Sequence, residues 1–161
     1  MLLPMVMPAQ KAAVLKVNQF NVAIFPENYR YTYYEMFMLK IKAKTSIDTS
    51  SFVFVPTDTI ESALALLKNF VTLDSINKNI SGFNCAVSPT QLSAYNVQVF
   101  CYKTKRKEKI ILFNFLSTES TFSVPFDSGP CFPNDGCNQF WTIKYNVNKR
   151  VLFDIQVNGK G

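Results

Sequence analysis

Chemistry in this sequence would have to come from four cysteines, eleven carboxylates and a run of lysines, because the chain contains no histidine. Nucleophilic catalysis would then need a serine or cysteine activated by a lysine or carboxylate, and acid-base catalysis would need two carboxylates held together. The carboxylates are scattered singly and the serines show no nucleophile-elbow pattern. Cys85 and Cys101 lie in apolar alternation, while Cys131 and Cys137 bracket the turn Pro133-Asn134-Asp135-Gly136. Neither setting is the exposed, electropositive one that turns a thiol into a nucleophile. The reading is therefore a protein that is not an enzyme, with no cofactor and no metal. The cluster Asp127, Asn134 and Asp135 could offer oxygens to calcium, but Asn-Asp-Gly is first a turn sequence.

The four cysteines allow three pairings, and none of their spacings resembles a zinc ribbon. Disulfides are the better use, and free core cysteines of a cytosolic protein are the alternative. Cys85 sits in Phe83–Val87 and Cys101 in Val97–Tyr102, two strand-like segments whose apolar positions share the phase of their cysteines. As antiparallel neighbours they would bring Cys85 to Cys101, closing a ring worth about 3 kcal/mol, and Cys131 would pair with Cys137. Disulfides imply export. So does the sequon Asn79-Ile80-Ser81, which would make Asn79 a glycosylation acceptor. Residues 1–11 carry a short apolar run broken by Pro4 and Pro8, which reads as a signal-peptide remnant or a disordered start.

Binding groups are more plentiful. Lys103, Lys105, Arg106, Lys107 and Lys109, with the single Glu108 among them, carry four of the six net positive charges of the chain. Such a loop keeps a hairpin tip soluble or contacts an anionic surface such as a sulfated glycan or lipid headgroup. Stacking of nucleic-acid bases on Tyr95, Phe100 and Tyr102 is a weaker reading, since each has a core role available. Tyr29, Arg30, Tyr31 and Tyr33, with Tyr34, form a second candidate surface, being residue types over-represented at binding hot spots.

The elements that must position these groups are mostly strands. Ala12 to Phe25 reads as one or two strands ending at Pro26, Glu35 to Lys44 and Ser51 to Val55 as further ones, and Ile110 to Leu116 and Thr121 to Val124 follow the basic turn. Trp141, Ile143 and Tyr145 alternate, Asn146 to Lys149 turn, and Val151, Phe153, Ile155 and Val157 alternate back on one face. One helix is predicted over 59–71, with Asp58 and Glu61 as a capping box and Ile60, Ala63, Leu64, Leu67, Phe70 and Val71 as its packed stripe. No apolar run is long enough to span a membrane. With 48% hydrophobic residues over 161 positions, residues 12–161 are expected to form one mainly β domain, an antiparallel β-sandwich with one packed helix.

Cys137-Asn138-Gln139-Phe140-Trp141-Thr142-Ile143 followed by Asn148-Lys149-Arg150-Val151-Leu152-Phe153 resembles the C-x-x-x-W-x-I, turn, V-x-L-x-F pattern of CUB and nematode CUB-like extracellular domains. The resemblance covers about 20 residues and transfers no functional residue. It implies a secreted, jelly-roll-like sandwich with Trp141 and Phe153 in the core. The second cysteine pair and the acidic residues of the calcium-binding versions have no counterpart here. The functional expectation is an extracellular recognition module for a protein or glycan ligand. The alternative is an intracellular basic protein, a nucleic-acid binder or a viral structural or assembly subunit, although nucleic acid is the less favoured partner.

Overall fold

The computed structural model describes residues 12–26, 47–71, 87, 89–120, 125–133 and 136–157. They form β1 (Ala13–Val17), β2 (Phe20–Ile24), β3 (Ile47–Phe52), α1 (Thr57–Val71), β4 (Tyr95–Thr104), β5 (Lys109–Ser117), β6 (Phe140–Asn146) and β7 (Val151–Val157), with short 3-10 turns at Pro89–Ala94 and Cys137–Gln139. The strands make one mixed sheet in the order β1-β2-β4-β5-β6-β7. Among the described residues it does not close into a barrel. β3 lies off that path on the β2 side of β4, pairing Ile47 with Thr104 and Phe52 with Tyr102, beyond the stretch Asn96 to Val99 that β2 occupies. The architecture is thus mainly β with one helix. The described residues contain one sheet, not the two of a sandwich.

The expectation of an antiparallel fold is corrected at one pair, because β2 runs parallel to β4, with Asn21 opposite Asn96 and Ile24 opposite Val99. A parallel pair needs a long crossover, and here the chain between them includes β3 and α1. The segments 35–44, 83–86 and 121–124 lie outside the described residues.

One face of the sheet carries Val22, Val97, Val99, Ile111, Phe113, Phe115, Trp141 and Ile143, and α1 covers it with Ile60, Ala63, Leu64 and Leu67. Each of the larger side chains contributes roughly 1.5–3 kcal/mol on leaving water. At the centre the Phe115 and Trp141 rings stack at 3.8 Å and 3°, as their opposition across β5 and β6 requires. The helix starts earlier than a capping box would have it. Pro56 O accepts from Thr59 N at 3.1 Å and Ile60 N at 3.3 Å, so Asp58 lies inside the first turn, where its Oδ1 accepts from Thr59 N at 2.7 Å.

The opposite face buries Ala23, Phe25, Phe100, Tyr102, Ile110 and Leu112, with Phe126 and Phe132 packed on them. Phe25 stacks on Phe100 at 4.9 Å, and Phe132 approaches Phe100 at 5.5 Å. Residues 125–133 therefore run as a strap across this face. Two amide side chains with no access to water hold it. Gln98 Nε2 donates to Phe126 O and Gly129 O, both at 2.7 Å, Gln98 Oε1 accepts from Cys131 N at 3.0 Å, and Asn114 Nδ2 donates to Cys131 O at 2.6 Å and to Gln98 Oε1 at 2.9 Å.

β7 departs from simple alternation. Asp154 has φ 52° and the pairing with β6 shifts there, so two residues of β7 oppose one of β6. The bulge changes the phase of the strand, and Leu152, Ile155 and Val157 reach the helix-side core. Val151 and Phe153 are left on the outside at 46% and 36% exposure, which corrects the expected Val151-Phe153-Ile155-Val157 face and the core role implied for Phe153. Trp141 is fully buried.

The cysteine pairings differ as well. Cys101 and Cys131 are both buried free thiols, so neither the 85 to 101 nor the 131 to 137 bridge is found. Cys101 points into the helix-side core, as its phase predicted, but Cys131 packs with Leu116 and Phe140 where its backbone is tied to the two amides. Cys137 is disulfide-bonded. The fourth cysteine of the sequence, Cys85, lies outside the described residues. Gly136 precedes Cys137 at φ 114°, where a Cβ would come within 2.5 Å of the Phe140 ring, so this turn requires glycine. Burial pushes the Cys101 thiol up to about 12 and raises Cys131 too, leaving both protonated at neutral pH. Alkylation without reductant is accordingly expected to label two thiols in the unfolded chain and neither in the folded one. Four labelled thiols after unfolding would contradict a bond at Cys137.

Candidate anion-binding surface

Lys103 and Lys109 face each other at the end of the β4–β5 hairpin, and Lys105, Arg106 and Lys107 form its tip. Thr104 N donates to Glu108 O at 2.9 Å and Lys107 N to Thr104 O at 2.8 Å, which closes a short loop in which Lys107 has φ 64°. The β6–β7 hairpin ends at the same end of the sheet. Its loop, residues 147–150, closes with Arg150 N on Asn146 O at 2.8 Å and Lys149 N on Asn146 Oδ1 at 3.0 Å, and Arg150 has φ 57°.

The two tips are fastened together. Val147 N donates to Lys109 O at 2.9 Å, Lys109 N donates to Asn148 Oδ1 at 2.8 Å, and Lys149 Nζ pairs with Glu108 Oε1 at 2.7 Å. That ammonium is the first cause of the lowered pKa of Glu108 and outweighs the opposing effect of burial. Lys103, Lys105, Arg106, Lys107, Lys109, Lys149 and Arg150 thus share one end of the sheet with Glu108, and Asp48, next to the Ile47 that pairs with Thr104, belongs to the same end. The seven basic residues outnumber these two acidic ones by five.

Two of these cations occupy a left-handed backbone position where glycine or asparagine is usual. Holding a side chain there costs about 1 kcal/mol or more per residue.

The lysines and arginine singled out from the sequence are therefore brought together, and Lys149 and Arg150 join them. Their charge was visible in the sequence, but their adjacency follows from the β5–β6 register, which places Ile110 opposite Asn146. Tyr29, Arg30, Tyr31, Tyr33 and Asn79 lie outside the described residues, as do Asn134 and Asp135. Among the described residues no group of three or more histidine, cysteine or carboxylate side chains could hold a metal. Tyr95, Phe100 and Tyr102 are 4%, 1% and 4% exposed, so they cannot serve as base-stacking platforms. Among the described residues no helix is long and apolar enough to cross a membrane. No family model, curated protein or solved structure matches the chain.

Proposed function

We propose that this protein is a non-enzymatic binding module whose basic end recognises a sulfated glycan. The observation that carries the reading is the fastening of two hairpin tips into one seven-cation surface. A rigid cationic platform suits a polymer with closely spaced anionic groups, since the lysines are held in register before binding. Burial of Tyr95, Phe100 and Tyr102 favours a glycan over single-stranded nucleic acid, whose affinity draws on stacked bases as well as on charge. The protonated thiols of Cys101 and Cys131 support a non-catalytic role.

An extracellular, CUB-like setting belongs to the same proposal. The bond at Cys137 and the buried Trp141 support it. The free thiols weigh toward the intracellular alternative, and the exposed Phe153 and the parallel β2–β4 pair weigh against the CUB-like fold.

The test compares the wild type with the triple variant Lys105→Ser, Arg106→Ser, Lys107→Asn, the asparagine being chosen because it tolerates the left-handed position. At about 1 kcal/mol for each cation near an anionic surface, affinity for a heparin-type polysaccharide should fall by roughly 100-fold. It should also weaken steeply with added salt. Equal binding of chemically desulfated polysaccharide, or tighter binding to single-stranded nucleic acid, would remove the glycan reading.

A further inference from the structure

Beside the basic end, α1 and the β6–β7 turn enclose an open groove of about 550 Å³, lined by Asp58, Thr59, Ser62, Leu66, Tyr145, Val147 and Arg150. Its size falls within the usual range of small-molecule sites, roughly 300–1,000 Å³. Its lining is divided by chemistry. Asp58, Ser62 and Leu66 are spaced four apart, so they stand in a row along one side of α1. Leu66 is 42% exposed there, although a leucine on a helix that buries Leu64 and Leu67 has no structural need to face water. Val147 adds a second apolar surface from the opposite wall, and Arg150 stands on the rim that the groove shares with the basic tips.

The polar atoms have capacity left. Asp58 Oδ1 takes the Thr59 amide at 2.7 Å, while its second carboxylate oxygen has no hydrogen-bond partner among the described residues. Ser62 Oγ donates to Asp58 O at 2.8 Å and keeps its lone pairs for an incoming hydroxyl. No ion pair within 4 Å joins Arg150 to Asp58 or to another described carboxylate. Its backbone is fixed by the bond from its N–H to Asn146 O, so the guanidinium projects from an anchored turn.

We propose that this groove is a subsite for one acidic sugar unit, a pyranose bearing a sulfate or carboxylate. The inference rests on the reading of the tips as a sulfated-glycan surface and adds a specific pocket to it. Arg150 takes the anionic substituent, with a fork geometry that suits a sulfate or carboxylate. Asp58 and Ser62 take ring hydroxyls, and Leu66 and Val147 contact the C–H face of the ring. Asp58 also fixes the direction, since a second anionic group at its end of the groove would meet its charge. The subsite therefore selects a unit charged on one side, with the rest of the polymer passing over Lys105 to Lys109.

The probe is a sulfated heparin disaccharide, too short to span the tips, measured by calorimetry beside the long polysaccharide. Ser62→Trp fills the groove from an exposed helical position, and Arg150→Gly removes the guanidinium while suiting the left-handed backbone. Each is expected to weaken the disaccharide at least tenfold, with Ser62→Trp leaving the thermal midpoint unchanged. The tip variant Lys105→Ser, Arg106→Ser, Lys107→Asn should weaken the long polymer while changing the disaccharide less than threefold. Disaccharide binding that is absent in the wild type, or insensitive to both groove variants, would overturn the subsite while leaving the tip reading intact. Failure of the tip variant to weaken the polymer would strike the tip reading itself.

Discussion

Replacing Gln98 with alanine is expected to destabilise the fold by about 4 kcal/mol, a large part of the 5–15 kcal/mol a domain usually possesses. Gln98 is fully buried and serves four backbone and side-chain groups at once. Its loss strands Phe126 O, Gly129 O and Cys131 N, and frees one of the two bonds made by Asn114 Nδ2. Each stranded buried group costs about 1–3 kcal/mol, and the vacated volume adds a cavity cost. Water entering under the strap would recover part of this, which is why the total is set below the simple sum. Gln98→Met keeps the volume and should still lose about 3 kcal/mol, separating lost hydrogen bonds from lost packing. Urea denaturation is the measurement. A reduced m-value would show that residues 125–133 have already left the sheet in the native state. Asn114→Ala combined with Gln98→Ala should cost less than the two alone together, because both act on Cys131. A loss under 1 kcal/mol for Gln98→Ala would mean that Phe126 and Phe132 hold the strap unaided.

Why these amides escape a reading of the sequence is instructive. In Tyr95 to Tyr102 and in Ile110 to Leu116, Gln98 and Asn114 fall on the phase opposite Val99 and Phe113, where a one-sided sheet would show them to water. The strap turns that phase into an interior; Phe100, Tyr102, Ile110 and Leu112 mark the same phase as apolar, but nothing in β4 or β5 says which segment covers it. Hairpins and the helix were legible because alternation and the spacing of Ile60, Ala63, Leu64 and Leu67 are local signals. Direction is not such a signal, so β2 could have paired with β4 either way. The bulge was hidden for a related reason. Val151, Phe153, Ile155 and Val157 alternate without fault, and only the left-handed backbone at Asp154 moves Leu152 into the core in place of Phe153. The parity of Cys101 was correct, yet facing the core does not choose a partner. Of the candidate site, the basic run was plain from residue types, whereas the contribution of Lys149 and Arg150 depended on a register shared by two hairpins.

That same bulge supports the second prediction. Asp154 pairs with Lys144, whose side chain is only 10% exposed on the strap side of β6, opposite Leu112 and Phe153. Burial raises the pKa of Asp154, but the Lys144 ammonium and the Gln156 amide lower it by more, so the net direction is downward. Asp154→Asn preserves the left-handed backbone and most of the shape while leaving the lysine charge without its counter-ion. Breaking a fully buried pair costs roughly 3–5 kcal/mol. Asp154 is 38% exposed, so solvent screening reduces the expected loss to about 2 kcal/mol. Lys144→Met in the Asp154→Asn background removes the stranded charge and should recover most of the deficit, because an apolar side chain of similar length can fill the same slot beside Leu112. The pH dependence has a fixed sign. A carboxylate whose folded pKa is depressed contributes stability above its unfolded value, near pH 4, and loses that contribution as pH falls through the folded value. The difference between wild type and Asp154→Asn should therefore be constant from pH 5 to 8 and shrink below about pH 4. A gap that persists in acid would assign the effect to the bulge's backbone geometry and not to charge.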